Sequence, residues 1–294
     1  MEFITTTGSD AREQVKIAYS DYGIGDPVIL IHGWPLSREM WEYQLGDLVD
    51  AGFRVIKYDR RGFGKSSKPW NGYDYDSLAS DLNEIIEQLD LNKVTLVGFS
   101  MGGGEVARYL SKYGTKRISR AILISTVLPF LSKTSNNSEG VEPQVFEEIM
   151  QQIKNDRIGF LDEFGKMFFG INLMSHPVSK PLLEYYRMLA SFASSHSTLQ
   201  CVTSFAKTDF REDIRAITVP TLIIHGDADK IVPIEASSNR TAAMIPGSHY
   251  LIYEGAPHGL FYEYRKQLNQ DLINFIKGGT SAYSTTLNAA INAE

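Results

Sequence analysis

A serine held between two glycines, Gly98-Phe99-Ser100-Met101-Gly102, separates the apolar run Val94-Thr95-Leu96-Val97 from the helically spaced Gly103-Gly104-Glu105-Val106-Ala107-Arg108-Tyr109-Leu110. Strand, tight turn and helix follow in order. A serine at the tip of so sharp a turn takes up a strained backbone conformation, and small residues two positions to either side let strand and helix pack beneath it. Its hydroxyl then projects from the sheet. The helix N-terminus leaves backbone N–H groups beside it, aimed at negative charge developing on a substrate oxygen. Ser100 is therefore a candidate nucleophile. The five-residue pattern also recurs by chance in plain Gly/Ser turns, so the reading depends on its flanks and on partners elsewhere in the chain.

A serine hydroxyl is a weak nucleophile at neutral pH. It needs a histidine to take its proton, and a carboxylate to orient that histidine and stabilise the imidazolium. His258 sits in Gly255-Ala256-Pro257-His258-Gly259, a loop shaped by glycine and proline after the strand pattern His249-Tyr250-Leu251-Ile252-Tyr253. Asp227 and Asp229 follow the apolar Thr221-Leu222-Ile223-Ile224, within His225-Gly226-Asp227-Ala228-Asp229. Pattern alone does not choose between the two aspartates. Catalytic groups of a doubly wound sheet gather at the carboxyl ends of its strands, and Ser100, both aspartates and His258 each follow a predicted strand. His32 and His225 end apolar strands and read as structural histidines with satisfied hydrogen bonds; His176, His196 and His249 lack a comparable loop.

The elements that must position these groups alternate. Val28-Ile29-Leu30-Ile31 is continuously apolar, like a strand covered on both faces, whereas Val15-Lys16-Ile17-Ala18-Tyr19 alternates like a half-exposed one. A helical pattern over 40–49, a strand at Arg54-Val55-Ile56-Lys57-Tyr58, a charged glycine-bearing loop over 59–66 and a helical pattern over 75–89 lead to the nucleophile strand. Such alternation predicts an α/β fold, a mostly parallel doubly wound sheet with helices on both faces. After Ala121-Ile122-Leu123-Ile124 the rhythm breaks, and residues 131–211 carry helical patterns without a buried strand. They read as an inserted helical cap on a core of residues 1–130 and 212–277. Residues 278–294 are small and polar and read as a flexible tail.

Composition narrows the function. The 294 residues are 43% hydrophobic and 22% charged, which suits one large α/β domain with an insertion, and their formal net charge is −6 with a pI near 5.6. With no block of Lys or Arg, that balance gives no electrostatic footprint for nucleic acid or an anionic membrane, and it favours a small, uncharged or weakly charged substrate. Cys201 is the only cysteine, which excludes an intramolecular disulfide and a cysteine-rich metal site. Met1-Glu2-Phe3-Ile4-Thr5-Thr6-Thr7 lacks the basic and apolar regions of a secretory signal, and no apolar run approaches the ~20 residues of a membrane span. The default expectation is a cytoplasmic protein.

The sequence resembles an α/β-hydrolase of the bacterial arylesterase and cofactor-free (non-haem) chloroperoxidase or perhydrolase family. The resemblance is carried by His32-Gly33-Trp34-Pro35-Leu36-Ser37, Asp59-Arg60-Arg61-Gly62-Phe63-Gly64, Gly98-Phe99-Ser100-Met101-Gly102-Gly103-Gly104, Ala206-Lys207-Thr208-Asp209-Phe210, His225-Gly226-Asp227-Ala228-Asp229 and Ala256-Pro257-His258-Gly259. It covers nearly all of the chain to about Lys277. The chain order Ser, Asp, His is that of the α/β-hydrolases. In the family the second aspartate of His-Gly-Asp-x-Asp is the triad acid, which implies Ser100, Asp229 and His258 as the catalytic residues and leaves Asp227 to shape the turn. The resemblance further implies an oxyanion hole made by the main-chain N–H groups of Trp34 and Met101, with no metal or other cofactor.

It implies, as activity, a serine carboxylesterase that hydrolyses small esters through an acyl-enzyme, with peracid formation from a carboxylic acid and hydrogen peroxide as a side activity. A non-catalytic small-molecule receptor on the same fold is the alternative, and the family's habit favours a homo-oligomer. The acyl pocket is expected to be small and apolar, walled by Trp34, Pro35, Leu131, Phe146, Phe169, Ile231 and Val232. Pro35 restricts the Trp34 backbone and is expected to bear on the choice between water and peroxide. Two features depart from the family pattern. The tail continues past Lys277, and Gly165-Lys166-Met167-Phe168-Phe169 stands where relatives have a shorter or differently composed aromatic segment.

Overall fold

The computed structural model describes residues 2–7 and 14–278. Its strands are β1 (Glu2–Thr7), β2 (Gln14–Tyr22), β3 (Pro27–Ile31), β4 (Arg54–Tyr58), β5 (Val94–Phe99), β6 (Ile118–Ile124), β7 (Thr221–Gly226) and β8 (His249–Tyr253). Between and after them come helices α1 (Glu42–Asp50), α2 (Tyr75–Gln88), α3 (Met101–Tyr113), α4 (Pro143–Phe168), α5 (Lys180–Ser191), α6 (Ser195–Lys207), α7 (Arg211–Ile214), α8 (Ser238–Met244), α9 (Leu260–Glu263) and α10 (Arg265–Ile276).

Apolar continuity decides which strands lie inside. Every residue of β3, β5 and β7 is buried, whereas β2 begins by alternating between exposed and buried positions. The eight strands form one sheet in the order β1-β2-β4-β3-β5-β6-β7-β8. β1 pairs antiparallel with β2, and β2 antiparallel with β4; all later neighbours are parallel. β1 had not been singled out from the sequence, although the β-branched run Ile4-Thr5-Thr6-Thr7 favours a strand.

This order places the site. The chain leaves β3 for β4 on one side and returns to β5 on the other, so a crevice opens beyond the carboxyl ends of β3 and β5. The segment after β3 (His32-Gly33-Trp34-Pro35) and Ser100 after β5 both lie at that edge. Between β6 and β7 the chain is helical, as its patterning predicts. α4 is interrupted at Asp156 (φ −151°, ψ 90°), and the helical run extends through α7 to Ile214, just past the expected boundary at 211. Helices α5 and α6 each start on a serine cap, Ser179 accepting from Leu182 N–H and Ser194 from Ser197 N–H. The expected tail, from 279 onward, lies outside the described residues.

The charged loop over 59–66 folds inward. Asp59 accepts from Arg38 N–H (2.9 Å), Arg38 Nη1 (3.1 Å) and Lys65 N–H (2.9 Å). Arg61 is paired with Asp81 of α2 at 2.6 Å. Arg60 is paired with Glu105 of α3 and donates to the His32 carbonyl at 2.6 Å, while Tyr58 donates to Glu105 at 2.6 Å. Buried charges persist only when paired and hydrogen-bonded. Here the pairing braces the segment after β3 against the helix that follows Ser100.

Candidate active site

Ser100 has φ +54° and ψ −118°, between the last residue of β5 and the first of α3. Such a conformation costs a non-glycine residue about 1–3 kcal/mol and persists only where its surroundings impose it. They do so here by close approach: a Cβ added at Gly98 would stand 2.6 Å from the Gly102 carbonyl, and one at Gly102 would stand 2.7 Å from the Ile31 carbonyl. Strand and helix therefore close beneath the serine. Met101, as the first residue of α3, carries one of the N–H groups that a helix leaves without an intrahelical partner.

His258 reaches this serine from the loop after β8. Asp227 Oδ1 accepts from Gly255 N–H at 2.6 Å and so ties down the start of that loop, and Gly259 N–H donates to the Phe168 carbonyl of α4 at 2.8 Å. The imidazole packs against Phe99 and Phe168, each with ring centroids 4.9 Å away. Its Nε2 lies 3.0 Å from Ser100 Oγ and its Nδ1 2.6 Å from Asp229 Oδ2. A carboxylate can only accept, so Nδ1 carries the proton and Nε2 is free to receive one from the serine. Asp229 faces His258; Asp227 does not. Burial alone would raise the Asp229 carboxyl. The charge interaction with His258 and hydrogen bonds from His225 and His258 outweigh it and hold the group well below the usual carboxylate range.

A cavity of about 50 Å³ opens in front of Ser100. Of the expected wall residues it takes in Trp34, Leu131, Phe146, Ile231 and Val232, and Met101 also lines it. Val127, Val141, Val145, Ile149, Phe164 and Phe205 complete the lining. Pro35 and Phe169, also expected there, line a separate space of about 20 Å³ beside Tyr186, and Phe169 borders a larger cleft as well. For Phe169 this follows from the direction in which α4 ends. Phe168 turns onto the His258 ring, so the next side chain, Phe169, points to Tyr186 and Phe261. A larger cleft of about 580 Å³ is lined by Lys166, Asn172, Lys230 and Pro257 among others, and Ser100 is not among its walls.

Trp34 is anchored from the helices above it. Its Nε1 donates to the Thr198 carbonyl of α6 at 3.0 Å, and its ring meets Phe160, Phe164 and Phe205. The remaining histidines divide. His32 accepts from Arg60 N–H at Nε2 and has Nδ1 2.9 Å from the Gly33 carbonyl, as a structural residue should; burial lowers its pKa, with the Arg60 charge adding to the effect. His225 is also fully hydrogen-bonded, but one of its contacts is Asp229 itself, at 3.1 Å. Sequence reading missed this, although the four-residue spacing of His225 and Asp229 across a tight turn was available as a signal. Among the described residues, no group of three or more His, Cys, Asp or Glu side chains is placed to hold a metal ion, and no helix is long and apolar enough to cross a membrane.

A mostly parallel sheet carrying a serine at such an elbow defines the class as α/β-hydrolase. Residues 26–264 match the family described as alpha/beta hydrolase fold. The crystal structure of a bromoperoxidase from Bacillus anthracis is similar at a TM-score of 0.89 and 48% identity, covering 94% of this chain and 100% of that one. The non-heme chloroperoxidase CPO-A1 of Kitasatospora aureofaciens is 40% identical over 90% of this chain and 97% of its own. The bifunctional esterase/perhydrolase DCH of Acinetobacter calcoaceticus is 35% identical over 94% of this chain and 100% of its own. The chain belongs to the α/β-hydrolase family, within its chloroperoxidase and perhydrolase branch, and is an enzyme of the hydrolase class.

Proposed function

We propose that the protein is a serine carboxylesterase, arylesterase-like, that acts on esters of short carboxylic acids through an acyl-enzyme at Ser100. The observation that carries this reading is the hydrogen-bonded line from Asp229 through His258 to Ser100, ending in an apolar cavity. His258 Nε2 takes the serine proton as Oγ bonds to the ester carbonyl carbon. The carbonyl oxygen becomes an oxyanion, for which the N–H groups of Met101 and Trp34 are the donors. The bond to the alcohol breaks, and the proton on His258 leaves with it. Water then gives a proton to His258 and attacks the acyl carbon; collapse of the second oxyanion returns that proton to Ser100 and releases the acid.

Hydrogen peroxide in place of water gives a peracid by the same bond changes. The released peracid oxidises halide away from the enzyme, which accounts for haloperoxidase behaviour. The names of the relatives support this second outlet. We assign residues 1–130 and 212–277 to the core that carries the triad, and 131–211 to the cap that walls the acyl cavity.

The test uses purified protein with p-nitrophenyl acetate, and with acetate, peroxide and bromide under a monochlorodimedone readout. Ser100→Ala and His258→Ala should abolish both activities. Asp229→Asn should lower ester turnover by up to ~10⁴-fold by permitting the wrong imidazole tautomer, and Asp227→Asn should lower it much less. Bromination that survives in Ser100→Ala would overturn the acyl-enzyme account.

A further inference from the structure

Asp229 is held from four directions. Its Oδ1 accepts from the N–H groups of Ile231 (2.8 Å) and Val232 (2.9 Å), and its Oδ2 from His258 Nδ1 at 2.6 Å. The fourth contact is His225 Nε2, 3.1 Å from Oδ2, in a pair whose side chains are both 0% exposed. The chemistry of its neighbours assigns the tautomer of His225. Nε2 lies 2.9 Å from the Val232 carbonyl as well as beside the carboxylate, and neither oxygen has a proton to give. Nε2 therefore carries the proton. Nδ1, 2.6 Å from Ser238 Oγ at the start of α8, accepts the hydroxyl proton.

We propose that His225 is a positioning residue for the reaction: its Nε2–H, kept in that tautomer by Ser238 and hydrogen-bonded to the Val232 carbonyl, stands 3.1 Å from Asp229 Oδ2 and holds the carboxylate in the orientation that meets His258. The inference rests on the reading of Ser100, Asp229 and His258 as the catalytic triad. The two backbone donors engage Oδ1 only; Oδ2 is hydrogen-bonded by His258, and the positive edge of the His225 ring packs beside it and limits rotation of the carboxylate plane. Asp229 is acted on by His258 from the loop after β8 and by His225 from β7; the groups packed on the two imidazoles are the uncharged Ser238, Val232, Phe99 and Phe168.

The experiment compares hydrolysis of p-nitrophenyl acetate by wild type, His225→Leu, His225→Gln, Asp229→Asn and the double variant His225→Leu/Asp229→Asn, across the range in which histidine titrates. His225→Leu should lower kcat by about ten- to a hundredfold, as expected for one hydrogen bond to a charged group, with KM little changed. His225→Gln, which keeps an N–H near the Nε2 position, should restore most of kcat. In the Asp229→Asn background, loss of His225 should cost little more, because it acts through the carboxylate. Equal losses in both backgrounds, or a raised KM in place of a lowered kcat, would overturn the proposal. If His225→Leu does not fold, folded His225→Gln decides, and a kcat there as low as that of Asp229→Asn overturns it. Turnover remaining in Ser100→Ala removes the triad reading itself, whereas a neutral His225→Leu beside inactive Ser100→Ala removes only the positioning role.

Discussion

Asp229 and Asp227 are two residues apart in one turn and have different work, which protonation makes measurable. A carboxyl depressed on folding, as Asp229 is, contributes stability that is present above the unfolded value near pH ~4 and is lost as pH falls through the folded value. The difference in unfolding free energy between wild type and Asp229→Asn should therefore be flat above pH ~5 and narrow in stronger acid. Denaturant melts along a pH series will measure it, and a gap that widens on acidification would contradict the sign. Pro35 supplies the other residue-level prediction. It does not line the cavity in front of Ser100, so an influence on the proposed reaction would pass through the restraint proline places on the preceding Trp34 backbone. Pro35→Leu should lower the ratio of peracid formation to ester hydrolysis. An unchanged ratio, with both activities intact, would reduce Pro35 to a stiffener of the loop.

Helices α4 and α6 bring the wall of the cavity to Ser100. Phe146 stands in the first turn of α4 and is 6% exposed, packed against Phe205 of α6. Its ring occupies space that a longer acyl chain would need. Phe146→Ala should shift the preference of p-nitrophenyl esters from acetate and propionate towards hexanoate, and should lower stability by about 3–5 kcal/mol, the usual cost of truncating a buried phenylalanine. Chain-length series on both proteins, with thermal melts, test the two effects separately. If wild type already prefers hexanoate or decanoate, the small acyl site is the wrong description of this cavity.

Across the whole molecule, the interior ion pair of Arg60 and Glu105 connects the loop after β4 to α3, and Arg60 reaches the His32 carbonyl at the end of β3. Glu105→Gln would leave a guanidinium 1% exposed without its counter-charge, and breaking such a pair costs about 3–5 kcal/mol. A melting temperature within a degree or two of wild type would show that the brace contributes little. Glu105 also shows how far sequence reading went. The alternation of strands and helices, the elbow at Ser100 and the loop of His258 were legible because each is a local pattern: continuous apolar runs record burial on both faces, and glycine and proline record turns. The β-branched residues of β1 were equally local and could have been read. The charged loop over 59–66 was not legible as interior, since Glu105 and Asp81, which neutralise Arg60 and Arg61, lie on helices distant in sequence. Spacing likewise left Asp227 and Asp229 equivalent until the turn pointed one at Gly255 and the other at His258. Spacing also could not tell which aromatics share a cavity with Ser100: Phe164 and Phe205 line it, whereas Phe169 and Pro35 line a neighbouring space. Local spacing determines which residues share an edge of the sheet; which side chains meet across that edge is decided by the packing of elements far apart in the chain, and that exists only in the folded molecule.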